Sequence, residues 1–269
     1  MGTNPLMQQQ LRLEELFNKN QVVPRIRAEF EQSEELYEAL RVFNIPKKLG
    51  MDMMTYMVIL KRLEVSALIG LLRHHCATAQ EIADHLHSAA EAGLIQWDHI
   101  KEQFVVMHTV SKEVQDDVDR YQYPLPMVVQ PKHIKSNKGY GYFTDDSSVI
   151  LKDNHHEKDV CLDHLNRSNK VEYALDMETA YMIQNQWKGL DKIRDGETKM
   201  DLDKRRKAFQ KYDRNSKVVL ELLTMISDKF YLTHRYDKRG RTYAQGYHVN
   251  PQGNSWNKAI INLANKEII

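Results

Sequence analysis

The stretch Tyr236-Asp-Lys-Arg-Gly-Arg-Thr-Tyr-Ala-Gln-Gly-Tyr-His-Val-Asn-Pro-Gln-Gly-Asn254 decides how this chain is read. Gly240 stands between Arg239 and Arg241, where the lack of a Cβ lets the backbone come close to a ligand. The two guanidinium groups are permanently charged planar forks that suit phosphate oxygens. Tyr243 and Tyr247 add flat faces of the kind on which bases stack. Asn250-Pro-Gln-Gly-Asn254 is dense in turn formers, with Pro251 pre-set for the second position of a turn. Asn254 then caps a helix that puts Trp256, Ala259, Ile260 and Leu263 on one face. By spacing alone, a solvated loop and a nucleic-acid contact both stay open.

The rest of the chain sets bounds. Its 269 residues allow one large domain or two smaller ones. With 38 basic against 37 acidic residues, any nucleic-acid contact is a local patch and not a global field. Cys76 and Cys161 are too few for a disulfide framework and fit a reducing compartment. Met1 to Gln10 lacks the apolar run of a signal peptide. The best membrane candidate, Met51 to Leu72, contains Asp52, Lys61, Arg62 and Glu64, which points to a buried helix instead. A globular, cytoplasmic protein is expected.

Helices are expected over residues 6–19, 26–43 and 51 to about 74. In the second, Phe30, Leu36, Tyr37, Leu40 and Phe43 share a face; in the third, Met53, Tyr56, Met57, Leu60, Leu63 and Leu68 read as core. Thr78 and Glu81 form a capping box for a helix that ends at Gly93. Leu94–Trp97 and Phe104–His108 look like two strands around a turn. Helix, capped helix, glycine and hairpin is the order of a winged helix-turn-helix, which reads DNA through its second helix. That helix has Glu81, Asp84 and Glu91 and no lysine or arginine, which suits phosphates poorly.

Tyr121 to Pro131 is held extended by three prolines. In the loop that follows, Tyr140-Gly-Tyr142 could stack bases or simply turn. Long helices are expected over residues 155 to about 189 and 201 to about 229, joined as an αα-hairpin by Gly189 to Lys199. The second carries Lys204, Arg205, Arg206, Lys207, Lys211, Arg214 and Lys217 against one interior acid, Asp213. Such a run is a solvated face or the footprint of a polyanion.

Two groupings invite a metal: His155, His156, Cys161 and His164, and His74, His75 and Cys76. Neither has the second cysteine that structural zinc sites typically use, so no metal site is assigned. No phosphate-binding Gly-x-x-x-x-Gly-Lys sequence and no serine elbow occurs. No catalytic residue is expected in this chain.

The run Asp237-Lys-Arg239-Gly240-Arg241-Thr-Tyr243, then Asn250-Pro-Gln-Gly-Asn254 and a helix with Lys258 and Leu263-Ala264, resembles the start of the palm in single-subunit RNA polymerases of phages and mitochondria. Pro126-Met-Val-Val-Gln-Pro131 and Gly139-Tyr-Gly-Tyr142 are similar to that family's Pro-Met-Val-x-x-Pro segment and Gly-Gly-Tyr loop. The helix with Leu165-Asn166 and the basic helix look like the thumb. The resemblance covers about Leu94 to Ile269. In the family the two magnesium-binding aspartates come after this point, so the chain looks like the small subunit of the split, heterodimeric phage form.

The resemblance implies a mostly α fold with small β elements. An N-terminal domain would span residues 1–150, with a hairpin near 94–108, a thumb-like helical hairpin 151–230, and the start of a palm 231–269. It implies a subunit of a DNA-directed RNA polymerase, with magnesium held by a larger partner subunit. Arg241, with Gly240, would contact template or hybrid; Asp237 would orient Arg241 or the turn, and Tyr243 would pack near the junction. Arg239 and Lys238 are weaker contacts. Lys204, Arg205, Arg206, Lys207, Lys211 and Arg214 would hold the hybrid by phosphates. The family's promoter-opening hairpin would map to Leu94–His108, where it is short. Residues 230–235 and 241–249 read as strands that a second polypeptide completes, and that partner would also cover Ile268-Ile269. The expected partners are that subunit, template DNA and nascent RNA, in the cytoplasm of an infected bacterium if the source is a phage. The alternative is a stand-alone winged-helix DNA-binding regulator.

Overall fold

The structure, a computed structural model, describes residues 4–108, 110–153 and 158–265. It is mostly helical with small antiparallel sheets, as the sequence leads one to expect. No described helix is long and apolar enough to cross a membrane. The chain divides into two compact units, Lys19–Arg120, and the residues up to Asn18 together with those from Tyr121 onward. The division falls at residues 18/19 and 120/121.

Asn4 accepts from the Leu6 amide and Pro5 needs no amide partner, so helix α1 (Pro5–Phe17) starts cleanly. In the unit Lys19–Arg120, α2 (Lys19–Glu31) and α3 (Glu34–Val42) replace the single helix expected over 26–43. Ser33 breaks it, accepting from the Leu36 amide as the N-cap of α3. The apolar helix expected from Met51 also divides, into α4 (Lys47–Leu60), strand β1 (Arg62–Glu64) and α5 (Val65–Leu72). Lys61, at φ +63°, makes the bend, and β1 pairs with a strand some forty residues on, a partner that no local pattern reveals. Met53, Met57 and Leu68 are fully buried as expected, whereas Leu60 is 37% exposed.

A 3-10 turn (Arg73–His75) leads to α6 (Ala79–Glu91), which begins where Thr78 accepts from the Glu81 amide. The Glu81 carboxylate reaches the Ala77 amide and not that of Thr78, so the box closes one residue early. Gly93 takes φ +71° just past the helix end. Strands β2 (Ile95–Asp98) and β3 (Gln103–Val106) follow, then α7 (Lys112–Arg120). The sheet order is β1-β3-β2, all antiparallel. The sequence α4–β1–α5–α6–β2–β3 with that order is the topology of a winged helix-turn-helix. The hairpin Leu94–His108 is thus the last pair of a three-stranded sheet and not a free projection.

In the other unit, Tyr121–Pro131 has no helix and bends at Tyr121, Tyr123, Val128 and Val129, while Met127 exchanges backbone hydrogen bonds with Tyr231 at 2.9 and 2.7 Å. The single helix expected over 155–189 is absent from the described part of that range. In its place stand α8 (Leu162–Ser168), β4 (Tyr173–Leu175), α9 (Met177–Met182) and an irregular segment. A distant strand takes β4: β7 (Ile261–Leu263), which follows α11 (Ser255–Ile260). So the expected helical hairpin is one long helix, α10 (Lys199–Ile226), with a short-element partner. Thr198 and Asp201 cap it reciprocally. Strands β5 (His234–Tyr236) and β6 (Thr242–Ala244) pair only with each other as named strands. Asn254 caps α11, and Trp256 and Ile260 are buried; Ala259 is exposed on the helix, and Leu263 is exposed because the helix gives way to β7 before it can join that face. The pair Ile268-Ile269 lies outside the described residues.

Tyr140 and Tyr142 are buried, the Tyr142 hydroxyl donating to the Leu125 carbonyl at 2.7 Å, so neither offers a face to a base. Between them Gly141 packs so tightly that a Cβ would stand 2.1 Å from Thr233 Oγ1. Gly141→Ala should therefore lower stability by about 1–3 kcal/mol through overpacking. Gly70→Ala, in α5 where a Cβ meets nothing, should raise stability by up to about 1 kcal/mol. Denaturant midpoints of the two variants check the contrast.

His234 and His248 are both buried, and burial pulls each down to about 4 from the ordinary histidine value of 6.5. Protons bound only by the unfolded chain make stability rise with pH across this interval. The thermal midpoint should thus fall as pH drops from about 6.5 to about 4. His234→Asn with His248→Asn should flatten that slope, whatever they do to the midpoint at neutral pH.

Candidate nucleic-acid interface

The turn between β5 and β6 is built by one carboxylate. Asp237 Oδ1 accepts from the amides of Arg239 (2.8 Å) and Arg241 (3.0 Å), and Oδ2 accepts from Arg241 Nε at 2.7 Å. A second guanidinium nitrogen of Arg241 lies 2.6 Å from Oδ2, which makes the contact a fork. The Tyr243 hydroxyl adds a longer bond to the same oxygen at 3.3 Å. The backbone closes around this, the Gly240 amide donating to the Asp237 carbonyl and the Asp237 amide to the Arg241 carbonyl. Gly240 sits at φ +75°, and a Cβ there would meet nothing within 4 Å, so the positive φ, not clearance, calls for glycine.

Asp237, Arg239, Gly240, Arg241 and Tyr243 are thus one unit. The amides of Arg241 and Arg239 and the Arg241 guanidinium hold the Asp237 carboxyl down to about 2. Arg241 keeps a side chain 56% exposed, and Lys238 and Arg239 are exposed beside it. Chemically, the turn presents a cluster of cations whose central member is aimed by a carboxylate.

The second half of the stretch braces the first. Gln252 donates to the Thr242 carbonyl (3.0 Å) and accepts from the Ala244 amide (2.8 Å), filling those positions on the outer edge of β6. Asn250 Nδ2 donates to the carbonyls of Ala244 and Gly246, and Asn257 Nδ2 reaches the Tyr212 hydroxyl on α10 at 3.0 Å. These amide roles have no signal in the sequence beyond a cluster of turn formers. Tyr247 stacks on Tyr123 with centroids 4.0 Å apart, and each ring stays 37% exposed.

The basic run of α10 divides by partner. Arg205 is engaged with the carbonyls of Gly189 and Lys192 and with Glu197, and Arg206 Nε donates to the Leu190 carbonyl at 2.8 Å. These two tie the irregular segment before α10 to the helix. Lys204 lies 3.7 Å from Asp201 and Lys217 2.9 Å from Asp213. Lys207 and Arg214 are exposed, and Lys211 is half-buried.

Magnesium does not fit at the turn: both oxygens of Asp237 already accept from amides and from Arg241, and a cation would have to displace that guanidinium. In the other unit, Asp52 joins His74 and His75, with Asp52 Oδ2 2.8 Å from His75 Nε2 and 3.6 Å from His74 Nε2. Arg27 occupies the other oxygen of Asp52, and Cys76 is not part of the group. Of the second grouping weighed for metal, His155 and His156 lie outside the described residues, and Cys161 is a free, exposed thiol. Compared with protein-family models and with curated proteins, the chain matches none.

The Asp237 carboxyl is depressed, so the order it confers is complete above its ordinary value of 3.8 and is lost as pH falls toward about 2. Amide shifts of Arg239 and Arg241 should stay constant from neutral pH to about 4 and then titrate together, with a midpoint near 2. In Asp237→Asn that titration should vanish.

Proposed function

We propose that this chain is a non-catalytic subunit of a two-chain DNA-directed RNA polymerase. It binds template DNA and the RNA–DNA hybrid through phosphates, and a larger partner chain supplies the aspartates that hold magnesium. The observation that carries this reading is the Asp237-aimed, exposed Arg241 in a turn whose sequence resembles the polymerase palm. A guanidinium fixed in orientation loses little entropy on meeting a phosphate. Lys207 and Arg214 on α10 extend the basic surface, whereas Arg205 and Arg206 act as braces for the preceding segment.

Exposed apolar side chains support a partner chain. Tyr181, Met182 and Ile183 are 63%, 77% and 46% exposed at the end of α9, and Met225 on α10 is 85% exposed. Tyr181 is tied to α10, its hydroxyl donating to Glu221 at 3.3 Å, one turn before Met225. A cluster of this kind suits a protein interface. The β6 edge suits one less, because Gln252 already bonds Thr242 and Ala244 there. We therefore assign the partner contact to the Tyr181–Met225 surface in preference to strand addition at β6.

The test mixes the chain with a larger polypeptide carrying the remaining palm and fingers, on single-stranded template with magnesium and nucleotides. RNA synthesis should need both chains; synthesis by this chain alone, or none by the mixture, overturns the proposal. Arg241→Ala should slow elongation about tenfold or more and leave assembly intact, with the salt dependence of template binding reduced by about one phosphate contact. Parallel loss of assembly and elongation would make Arg241 a structural residue.

A stand-alone DNA-binding regulator is the second reading, favoured by the winged topology of residues 62–106. The charge of α6 opposes it.

A further inference from the structure

In a winged module the helix corresponding to α6 lies against DNA. Here that helix is acidic: Glu81, Asp84 and Glu91 stand exposed, accompanied by His85 and His87 and by no lysine or arginine. Laid along a phosphate backbone, three carboxylates would repel it, and no counterion would be released to drive binding.

The same helix borders a cavity of about 540 Å³, which it shares with the start of α5 and the β2–β3 hairpin. The lining is mainly apolar: Val65, Ala83, Ala90, Trp97 and Phe104, with His87. Trp97 and Phe104 are directly opposed across the two strands and meet edge to face at 5.1 Å, forming a rigid aromatic wall. Glu91 lines the cavity, and Asp84, one turn before His87 on the same helix, is exposed on the adjoining helical surface. Asp84 is positioned by Gln80 at 2.8 Å. On the hairpin side, Arg62 faces Asp98 at 3.6 Å, while Lys101 and the 93%-exposed Ile100 occupy the tip.

An apolar, aromatic-walled pocket rimmed by carboxylates is complementary to a short amphipathic segment with cations on one side and a bulky apolar residue on the other. We propose that this face docks such a segment of another protein: lysines or arginines facing Asp84 and Glu91, and an apolar side chain against Ala83, Ala90 and Trp97. The winged fold is here a protein-binding module, and its acidic helix selects a basic peptide and rejects nucleic acid. This does not depend on the polymerase reading, which rests on the other unit of the chain.

The experiment uses the full chain, isotope-labelled, and follows the Trp97 indole and the amides of Ala83, His87 and Ala90 by NMR. The probes are a synthetic amphipathic helix with leucine and phenylalanine on one face and lysine on the other, the same peptide with glutamate for lysine, and a mixed-sequence DNA duplex. The lysine peptide should give saturable shifts at these four residues that weaken with salt; the glutamate peptide and the duplex should not. Asp84→Lys with Glu91→Lys, both surface changes, should weaken peptide binding about tenfold or more. Ala83→Trp, which fills the cavity, should abolish the Trp97 shift while near-ultraviolet dichroism reports an intact fold. Absence of saturable shifts with the lysine peptide, equal shifts with the glutamate peptide, or stronger shifts with DNA would each overturn the proposal.

Discussion

Buried backbone outside regular structure must find hydrogen-bond partners, and in the larger unit of this protein side chains supply many of them. Asn166 accepts from the Ile134 amide (2.8 Å) and donates to the Ile134 carbonyl (2.9 Å), doing for one residue what a neighbouring strand would do. Gln252 pairs the edge of β6 in the same manner. Gln10 accepts from the Val128 amide, and the buried carboxylate of Glu14 accepts from the amides of Phe143 and Thr144 and from the Thr144 hydroxyl. Among the described residues, the sheets in this unit have two strands each, which is marginal for a free hairpin in water. The side-chain amides, with Phe230, Leu232, Trp256 and Ile260 in the core, let such short strands persist.

The Asp237 turn is the exposed outcome of that scaffold. Its carboxylate both orders the loop and aims a guanidinium, so local structure and the electrostatics of the candidate site have a single cause. Because Arg241 is more than half exposed, its pairing with Asp237 contributes little to global stability, and its significance is orientation. A phosphate approaching it would meet the part of the guanidinium that Asp237 does not hold, flanked by the exposed Lys238 and Arg239.

The Lys19–Arg120 unit illustrates why topology and function are separate questions. Its helix and strand order is that of a winged helix-turn-helix, but the helix that would meet DNA exposes Glu81, Asp84 and Glu91 and carries no lysine or arginine. Backbone geometry follows from Met53, Met57, Leu68, Ile82 and Leu86 in the core, none of which sets the charge outside.

What the sequence determined by itself is what short-range chemistry dictates. Thr78 and Asn254 were legible as helix starts, Asp201 as part of the first turn of another, Gly93 as a helix end, Asp237 to Tyr243 as a turn, and α6 as an acidic helix. Each involves groups within a few residues of one another. The tertiary structure alone decided the rest. Arg62–Glu64 and Tyr173–Leu175 sit in stretches that look helical and become strands because Gln103–Val105 and Ile261–Leu263 pair with them. Tyr140 and Tyr142, which read equally as stacking residues or as part of a plain turn, are core because Gly141 lets the loop press against Thr233. Of the basic run, Arg205 and Arg206 are engaged with carbonyls of the preceding segment, while Lys207 and Arg214 are exposed. In every such case the determining partner is distant in sequence, and a propensity of a few tenths of a kcal/mol per residue, about the usual size, yields to the burial and pairing it brings.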